Sequence, residues 1–347
     1  MEIAITIILL IIGIVLIVKG GDVFVDAASW MAEASGIPKL IVGATVVSFA
    51  TTLPELLVSM FAAADGKVDM SIGNAVGSVT ANIGLILAIA MIFMPAKIRR
   101  RDYWLKTLLM IGAAVVIVIF GQNGEFSLTA SMFLLTFFII SMASNVIDAV
   151  RGIKKEKLEK VVEDETETGE PIRKIERRNI TKSQIMLNIA KFVIGAVMIV
   201  FGAQLLVDNG SELAKFIGIP ERVIGVTIVA VGTSLPELVT TLTAIRKKEH
   251  SLSAGNILGA NIIDLALIMP LSALVSGGSL TVTQTVAIID LPACLIVCTV
   301  AMLPALLLRR FSRWQGFLIL ALYTAYVVIS STGLSNQIVA GVSGMFA

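Results

Sequence analysis

The chain holds one histidine and two cysteines among 347 residues. His250 lies in a polar stretch between two apolar runs. A histidine-built metal site and a histidine base beside a nucleophile are therefore both missing. Cys294 and Cys298 sit four apart in one apolar run. On a single helix they cannot readily bridge each other, and they read as small core residues. Charge is scarce too: Asp, Glu, Lys and Arg make up 15% of the residues, against 56% hydrophobic. With a mean hydropathy of +0.93, the chain carries more apolar surface than a soluble core can hide, so its partner is the lipid bilayer. The net charge is +2, with no basic stripe on a polar domain; nucleic acid is excluded as a partner. Residues 3–18 are apolar directly behind Met1 and Glu2, with no basic segment and no polar cleavage site. They read as a first membrane span, not a signal peptide.

Ten apolar runs have helical length, at approximately 3–18, 40–63, 71–95, 103–121, 126–149, 186–207, 222–245, 252–276, 284–308 and 314–332. The short alternating segments of a β-barrel are absent, and backbone in lipid must satisfy its own hydrogen bonds, so the runs are expected to be helices. One clearly polar segment, 151–185, is rich in Lys, Glu, Arg and Thr and reads as a short helix or a linker. The expected organisation is thus 1–150, a first five-helix half; 151–185, a charged loop; and 186–347, a second half.

Lys and Arg fix the expected orientation. The odd-numbered connections hold Lys19, Lys39, Lys97, Arg99, Arg100, Arg101, Lys106, ten cations in 151–182, Arg246, Lys247, Lys248, Arg309, Arg310 and Arg313. The even-numbered ones hold only Lys67, Lys215 and Arg222. The odd connections are therefore expected in the cytoplasm and both termini outside. Five spans per half is an odd number, so the second half must enter the membrane upside down.

The halves repeat each other. Residues 43–59 read GATVVSFATTLPELLVS and 225–241 read GVTIVAVGTSLPELVTT, in register at a constant offset of 182. Gly36-Ile37-Pro38 falls on Gly218-Ile219-Pro220, Pro54-Glu55 on Pro236-Glu237, and Gly73-Asn74 on Gly255-Asn256. Two copies of an intramembrane carboxylate in inverted halves are the layout of a transporter with its site at the repeat interface.

The chemistry of that passage is oxygen chemistry. A carboxylate at mid-membrane costs about 2.5–3.5 kcal/mol even on a lenient scale. No Lys or Arg lies centrally in any run, so Glu55 and Glu237 need protonation or a bound cation. Pro54 and Pro236 each free the carbonyl four residues earlier, at Ala50 and Gly232. These stand beside Thr51, Thr52, Thr233 and Ser234. Hard cations such as Ca²⁺ and Na⁺ take such ligands, whereas Zn²⁺ and Cu⁺ would want His or Cys. In the following runs, Gly73 with Gly77 and Gly255 with Gly259 form small-residue faces for close helix packing. Ser78 and Asn82 share one helix face. Their repeat mates are Ala260 and Asp264, the latter a third intramembrane acid without a basic partner.

At these residues the chain resembles the cation/Ca²⁺ exchanger superfamily, and its prokaryotic-type Na⁺/Ca²⁺ exchangers most. Gly232-Thr233-Ser234-Leu235-Pro236-Glu237 matches the family signature as it stands; Ala50-Thr51-Thr52-Leu53-Pro54-Glu55 departs from it at the first position. The resemblance covers both halves. It implies an all-α integral membrane protein of ten transmembrane helices in two inverted five-helix repeats, with four ion sites at the centre. Carried over, Glu55 and Glu237 would hold Ca²⁺ with the carbonyls of Thr51 and Thr233. Na⁺ would use the same glutamates, the backbones of Ser48 and Ala230, and the side chains of Thr52, Ser234, Ser78, Asn82 and Asp264. Ala260 and Val79 stand where relatives carry Ser and, often, Asn. The resemblance also implies that spans 1 and 6 slide across the central helices as the gate.

The expected function is a secondary antiporter of the cell membrane that extrudes Ca²⁺ against Na⁺ by alternating access. Na⁺ and Ca²⁺ are its cargo; no cofactor and no partner chain are called for, and a monomer is the expectation. A Ca²⁺/H⁺ antiporter on the same fold is the alternative, to which Ala260 leans; Asp264 leaves K⁺ co-transport open. A channel fits a closed central site poorly. An intramembrane hydrolase would need a nucleophile and an activating base, and no histidine lies in any run.

Overall fold

A computed structural model describes residues 2–166, 181–217, 232, 234–332 and 334–345. The helices are α1 (Ile3–Ser35), α2 (Lys39–Ala64), α3 (Val68–Phe93), α4 (Arg100–Gly121), α5 (Leu128–Thr166), α6 (Lys182–Phe216), α7 (Leu235–Arg246), α8 (His250–Val275), α9 (Val286–Leu308), α10 (Arg313–Ser331) and α11 (Leu334–Met345). Nine of these helices are long and apolar enough to cross a membrane. Of the expected seventh span, 222–245, most of the first half lies outside the described residues, and α7 is its C-terminal part. The fold is therefore all-α and membrane-embedded. Among the described residues, non-helical pairing is confined to two two-residue strands, β1 (Glu125–Phe126) and β2 (Leu280–Thr281), which pair antiparallel, and a bridge between Lys97 and Arg310.

The repeat is inverted in three dimensions. Helices α1 and α6 pack along a glycine seam where Gly13 meets Gly202 and Gly20 meets Gly195. A methyl on Gly13 would stand 2.9 Å from the Gly202 carbonyl oxygen, and one on Gly202 would stand 2.8 Å from that of Gly13. At the other end, a methyl on Gly20 would come within 3.0 Å of the Gly195 oxygen. At the offset of 182, Gly13 is the mate of Gly195 and Gly20 of Gly202. Each contact is thus the image of the other. The match extends to the mates Ile17 and Ile199, whose backbone nitrogens lie 3.0 Å from the methyl positions of Gly202 and Gly20. Reciprocal contacts between antiparallel helices define a two-fold axis perpendicular to both, which for membrane-crossing helices lies in the membrane plane.

Contacts between connections keep to parity. Connection 4–5 pairs with 8–9 through β1 and β2, and 3–4 with 9–10 through Lys97 and Arg310. Lys39, which opens α2, bonds Glu249 in connection 7–8 at 2.6 Å. Odd thus meets odd and even meets even, as alternate crossing of one bilayer requires.

Helices α1, α5 and α6 exceed the apolar runs that mark them. The helix containing α1 has 34 residues and α6 has 35, about 50 Å each. That is well beyond a hydrocarbon core of about 30 Å, so they must tilt or project. The second half of α1 carries Asp22 and Asp26. Lys247 bonds Asp26 at 2.7 Å, and Arg246 bonds Asp22. Their apolar flanks face lipid: Ile5, Ile8 and Ile11 of α1 and Ile194 and Val197 of α6 are exposed.

Candidate functional site

The site is made where the repeats interleave. α2 is interrupted by a π-helical turn at Gly43–Val47 before it resumes at Ser48 with Pro54 inside it. α3 widens into a π-helical turn at Asn82–Leu87, and α8 does so at Asp264–Ile268. These two turns open on repeat mates. Such turns shift the helix register and loosen its hydrogen bonding, which is why they gather at functional sites. In α7, Pro236 occupies the first turn, where a missing N–H costs nothing.

Ser48, Thr51, Thr52, Glu55, Ser78, Asn82, Ser234, Glu237 and Asp264 are all buried, at no more than 3% exposure. Thr233 and Ala230 lie outside the described residues. The structure brings the carboxylates together: Glu55 is within repelling distance of Glu237 and Asp264, and Asp264 of Glu237. The Thr52 hydroxyl donates to Glu237 Oε1 at 3.2 Å across the repeat interface. Thr51 Oγ1 lies 3.2 Å from the Ser48 carbonyl and 3.3 Å from Asn256 Oδ1, and can donate to one at a time. Asn82 Nδ2 donates to Asn261 Oδ1 at 3.1 Å.

What remains is a set of buried oxygens without hydrogen-bond partners among the described residues. Both oxygens of Glu55, both of Asp264, Oε2 of Glu237, Oδ1 of Asn82 and the hydroxyls of Ser78 and Ser234 belong to it. A buried acceptor left unpaired costs about 1–3 kcal/mol, more if charged. A hard cation coordinated by them would offset that cost, because every atom in the set is an oxygen. No three Asp, Glu, His or Cys side chains among the described residues converge tightly enough to form a metal cage on their own. A bound ion must therefore also draw on hydroxyl, amide and backbone oxygens.

The surrounding helices are held close by glycine. A methyl on Gly255 would run into the Leu40 carbonyl, and one on Gly43 into that of Leu252. The small-residue face expected at Gly255 and Gly259 thus packs α8 onto the start of α2, whereas the one expected at Gly73 and Gly77 packs no helix closely: a methyl on either would meet nothing within 4 Å. Asn74 Nδ2 straps α3 to α2 beneath the site, donating to the Glu55 carbonyl at 3.0 Å and the Ser59 hydroxyl at 2.9 Å.

Sequence reasoning missed two features. Asn261 was passed over although it lies three residues before Asp264, on the same helix face. Lys106, assigned to a connection, is buried at 2% exposure on α4 and donates to Asn145 of α5. Asn145 Nδ2 in turn lies 3.4 Å from the Ala44 carbonyl in the π-helical turn of α2. An apolar run that starts with a charge gives no sign that a neighbouring helix will cover that charge.

Fold and site together define an integral membrane transporter of inverted repeats, with an all-oxygen centre between them. The family model described as sodium/calcium exchanger protein matches residues 5–146 and 187–332, so the chain belongs to the sodium/calcium exchanger family. It is 30% identical to the sodium/calcium exchanger MaX1 of Methanosarcina acetivorans over 94% of this chain and 99% of that one. It is 33% identical to the inner membrane protein YrbG of Escherichia coli over 78% and 80%. Among solved structures, the sodium-calcium exchanger NCX_Mj soaked with 10 mM Na⁺ and zero Ca²⁺ superposes with a TM-score of 0.75 at 28% identity, covering 94% of this chain and 99% of that one.

Proposed function

We propose that the protein is a secondary antiporter exchanging Na⁺ for Ca²⁺ by alternating access, with extrusion of Ca²⁺ from the cytoplasm as its direction. The observation that carries this reading is the cluster of unpartnered buried oxygens contributed by both repeats. Glu55 and Glu237 hold Ca²⁺, with the carbonyls of Thr51 and Thr233 completing its shell. Na⁺ takes the same glutamates with Ser48, Ala230, Thr52, Ser234, Ser78, Asn82 and Asp264. One Ca²⁺ or several Na⁺ can neutralise the acids, but the two sets compete for the same oxygens. The empty site is poorly compensated in a low-dielectric interior, so switching sides unloaded is disfavoured and flux becomes exchange. The glycine seam between α1 and α6 suits a gate that moves as one body across the two halves, 1–150 and 186–347. The 151–185 segment, whose first part continues α5 to Thr166, joins those halves on the cytoplasmic face.

The names of the relatives support Na⁺ and Ca²⁺ as cargo. Coupling to H⁺ is the second reading, favoured by Ala260: this position is fully buried and offers no side-chain oxygen. The test is ⁴⁵Ca²⁺ uptake into proteoliposomes under an imposed Na⁺, K⁺ or H⁺ gradient. Uptake driven by Na⁺ alone is the expected result; uptake that follows only the pH gradient overturns it in favour of H⁺.

A further inference from the structure

Asn82 and Asp264 occupy equivalent places in the two repeats and open equivalent π-helical turns. One is an amide and the other a carboxylate. A carboxylate presents oxygen whichever way it is turned, whereas an amide presents oxygen on one side and an NH₂ on the other. An amide that serves a cation must therefore be held with its oxygen inward. Asn82 has such a holder. Its Nδ2 donates to Asn261 Oδ1 at 3.1 Å, while its Oδ1 stays buried and unpartnered among the described residues. Asn261 is itself fully buried, and its Nδ2 faces the Met110 sulfur of α4 at 3.8 Å. A thioether is a weak acceptor and never a donor. The nitrogen end of Asn261 thus belongs toward Met110 and its oxygen end toward Asn82.

The repeat supplies an internal control. At the offset of 182 the mate of Asn261 is Val79, fully buried and without a hydrogen-bonding side chain. Asp264, the mate of Asn82, keeps both oxygens unpartnered among the described residues. The holder is present where the ligand is an amide and absent where it is a carboxylate.

We propose that Asn261 is a positioning residue of the Na⁺ site: it holds the Asn82 amide so that its oxygen meets the ion. This rests on the exchange reading above. Asn261 acts through Asn82, to whose amide its oxygen is turned. It gives the site a monovalent-cation corner that is neutral, opposite the anionic corner at Asp264.

The test is a double-mutant cycle on full-length protein in proteoliposomes, reading the Na⁺ concentration that half-displaces ⁴⁵Ca²⁺. Asn261→Leu keeps the volume and removes the acceptor. Losing one orienting hydrogen bond should raise that concentration roughly five- to tenfold. In an Asn82→Asp background the same change should matter less than about twofold, because a carboxylate needs no orienting. Should Asn261→Leu elute as aggregate on gel filtration, Asn261→Ala takes its place with the same expectations. Equal shifts in both backgrounds mean a purely structural role and overturn the proposal, as does an unchanged Na⁺ dependence in Asn261→Leu. A wild type in which Na⁺ neither drives nor displaces Ca²⁺ overturns the exchange reading itself, and the assignment of Asn82 with it.

Discussion

Gly259 is a point beside the ion site where one added methyl group should be costly. It sits in α8 five residues before Asp264 and faces the turn that leads into Ser48. A Cβ there would lie 2.5 Å from Ser48 Oγ and 2.7 Å from both Cα and O of Ala44. Comfortable carbon contacts begin at about 3.5 Å, so α8 and α2 would have to part by close to 1 Å. Two of the three obstructing atoms are backbone and cannot rotate away. Overpacking of this kind costs about 1–3 kcal/mol. Parting the helices would also stretch the link from Thr51 to Asn256, 3.3 Å in the native packing. About 2 kcal/mol relieved at the expense of the site would weaken cation affinity roughly thirtyfold. Gly112→Ala is the control: its methyl meets only the ring of Phe137, at 3.2 Å, and a side chain can yield where backbone cannot. The assays are ⁴⁵Ca²⁺ affinity and thermal unfolding of the purified proteins. Gly259→Ala is expected to lose affinity and stability, and Gly112→Ala to keep its affinity. If Gly259→Ala matches wild type in both, or harms affinity no more than the control, the close α2–α8 contact does not set the geometry of the site.

Glu55→Gln and Glu237→Gln remove a buried charge but keep an oxygen, so each should abolish Ca²⁺ transport while the protein elutes as folded from gel filtration; normal ⁴⁵Ca²⁺ flux in Glu237→Gln would remove it from the site. Asp264→Asn should shift the Na⁺ dependence and retain Ca²⁺ binding, and Ala260→Ser should tighten Na⁺ competition by adding a hydroxyl ligand, both read as Na⁺ inhibition of ⁴⁵Ca²⁺ binding. Cysteines placed at 151–166 should react with impermeant thiol reagents from the cytoplasmic side only. The native Cys294 and Cys298 are buried, so background labelling should be low, and labelling from outside intact cells would reverse the topology. Protons and cations compete for the same carboxylate oxygens, so Ca²⁺ affinity should fall as pH falls, while Na⁺ still displaces Ca²⁺ at any fixed pH. Ca²⁺ that responds to acid and never to Na⁺ would transfer the coupling role to H⁺.

Much of the site could be read from the sequence because its signals are identities at a fixed offset. Pro54-Glu55 and Pro236-Glu237 are chemically costly in a membrane and recur in register, so neither packing nor distance had to be known. The inverted symmetry followed from span parity and cation placement, and the seam of Gly13, Gly20, Gly195 and Gly202 is its three-dimensional form. Element ends were less legible. Hydrogen bonds carry α1 and α5 past the edges of their apolar runs, because a helix stops where its backbone bonding stops, not where hydrophobicity does.

The different contacts of identical mates were not legible at all. Asn74 and Asn256 are the same residue at equivalent positions, yet Asn74 straps its own repeat, at Glu55 and Ser59, while Asn256 reaches across to Thr51 of the other. Thr241, the mate of Ser59, keeps a buried hydroxyl without a partner among the described residues. An offset between copies fixes which residues are equivalent, but not which of two competing partners each one takes. That choice depends on how far the copies depart from perfect symmetry, and under the proposed alternating access a site open to one side of the membrane cannot be symmetric. Identical side chains in unlike contacts are therefore what the proposed mechanism calls for in an open state, and they emerge only once the helices are packed.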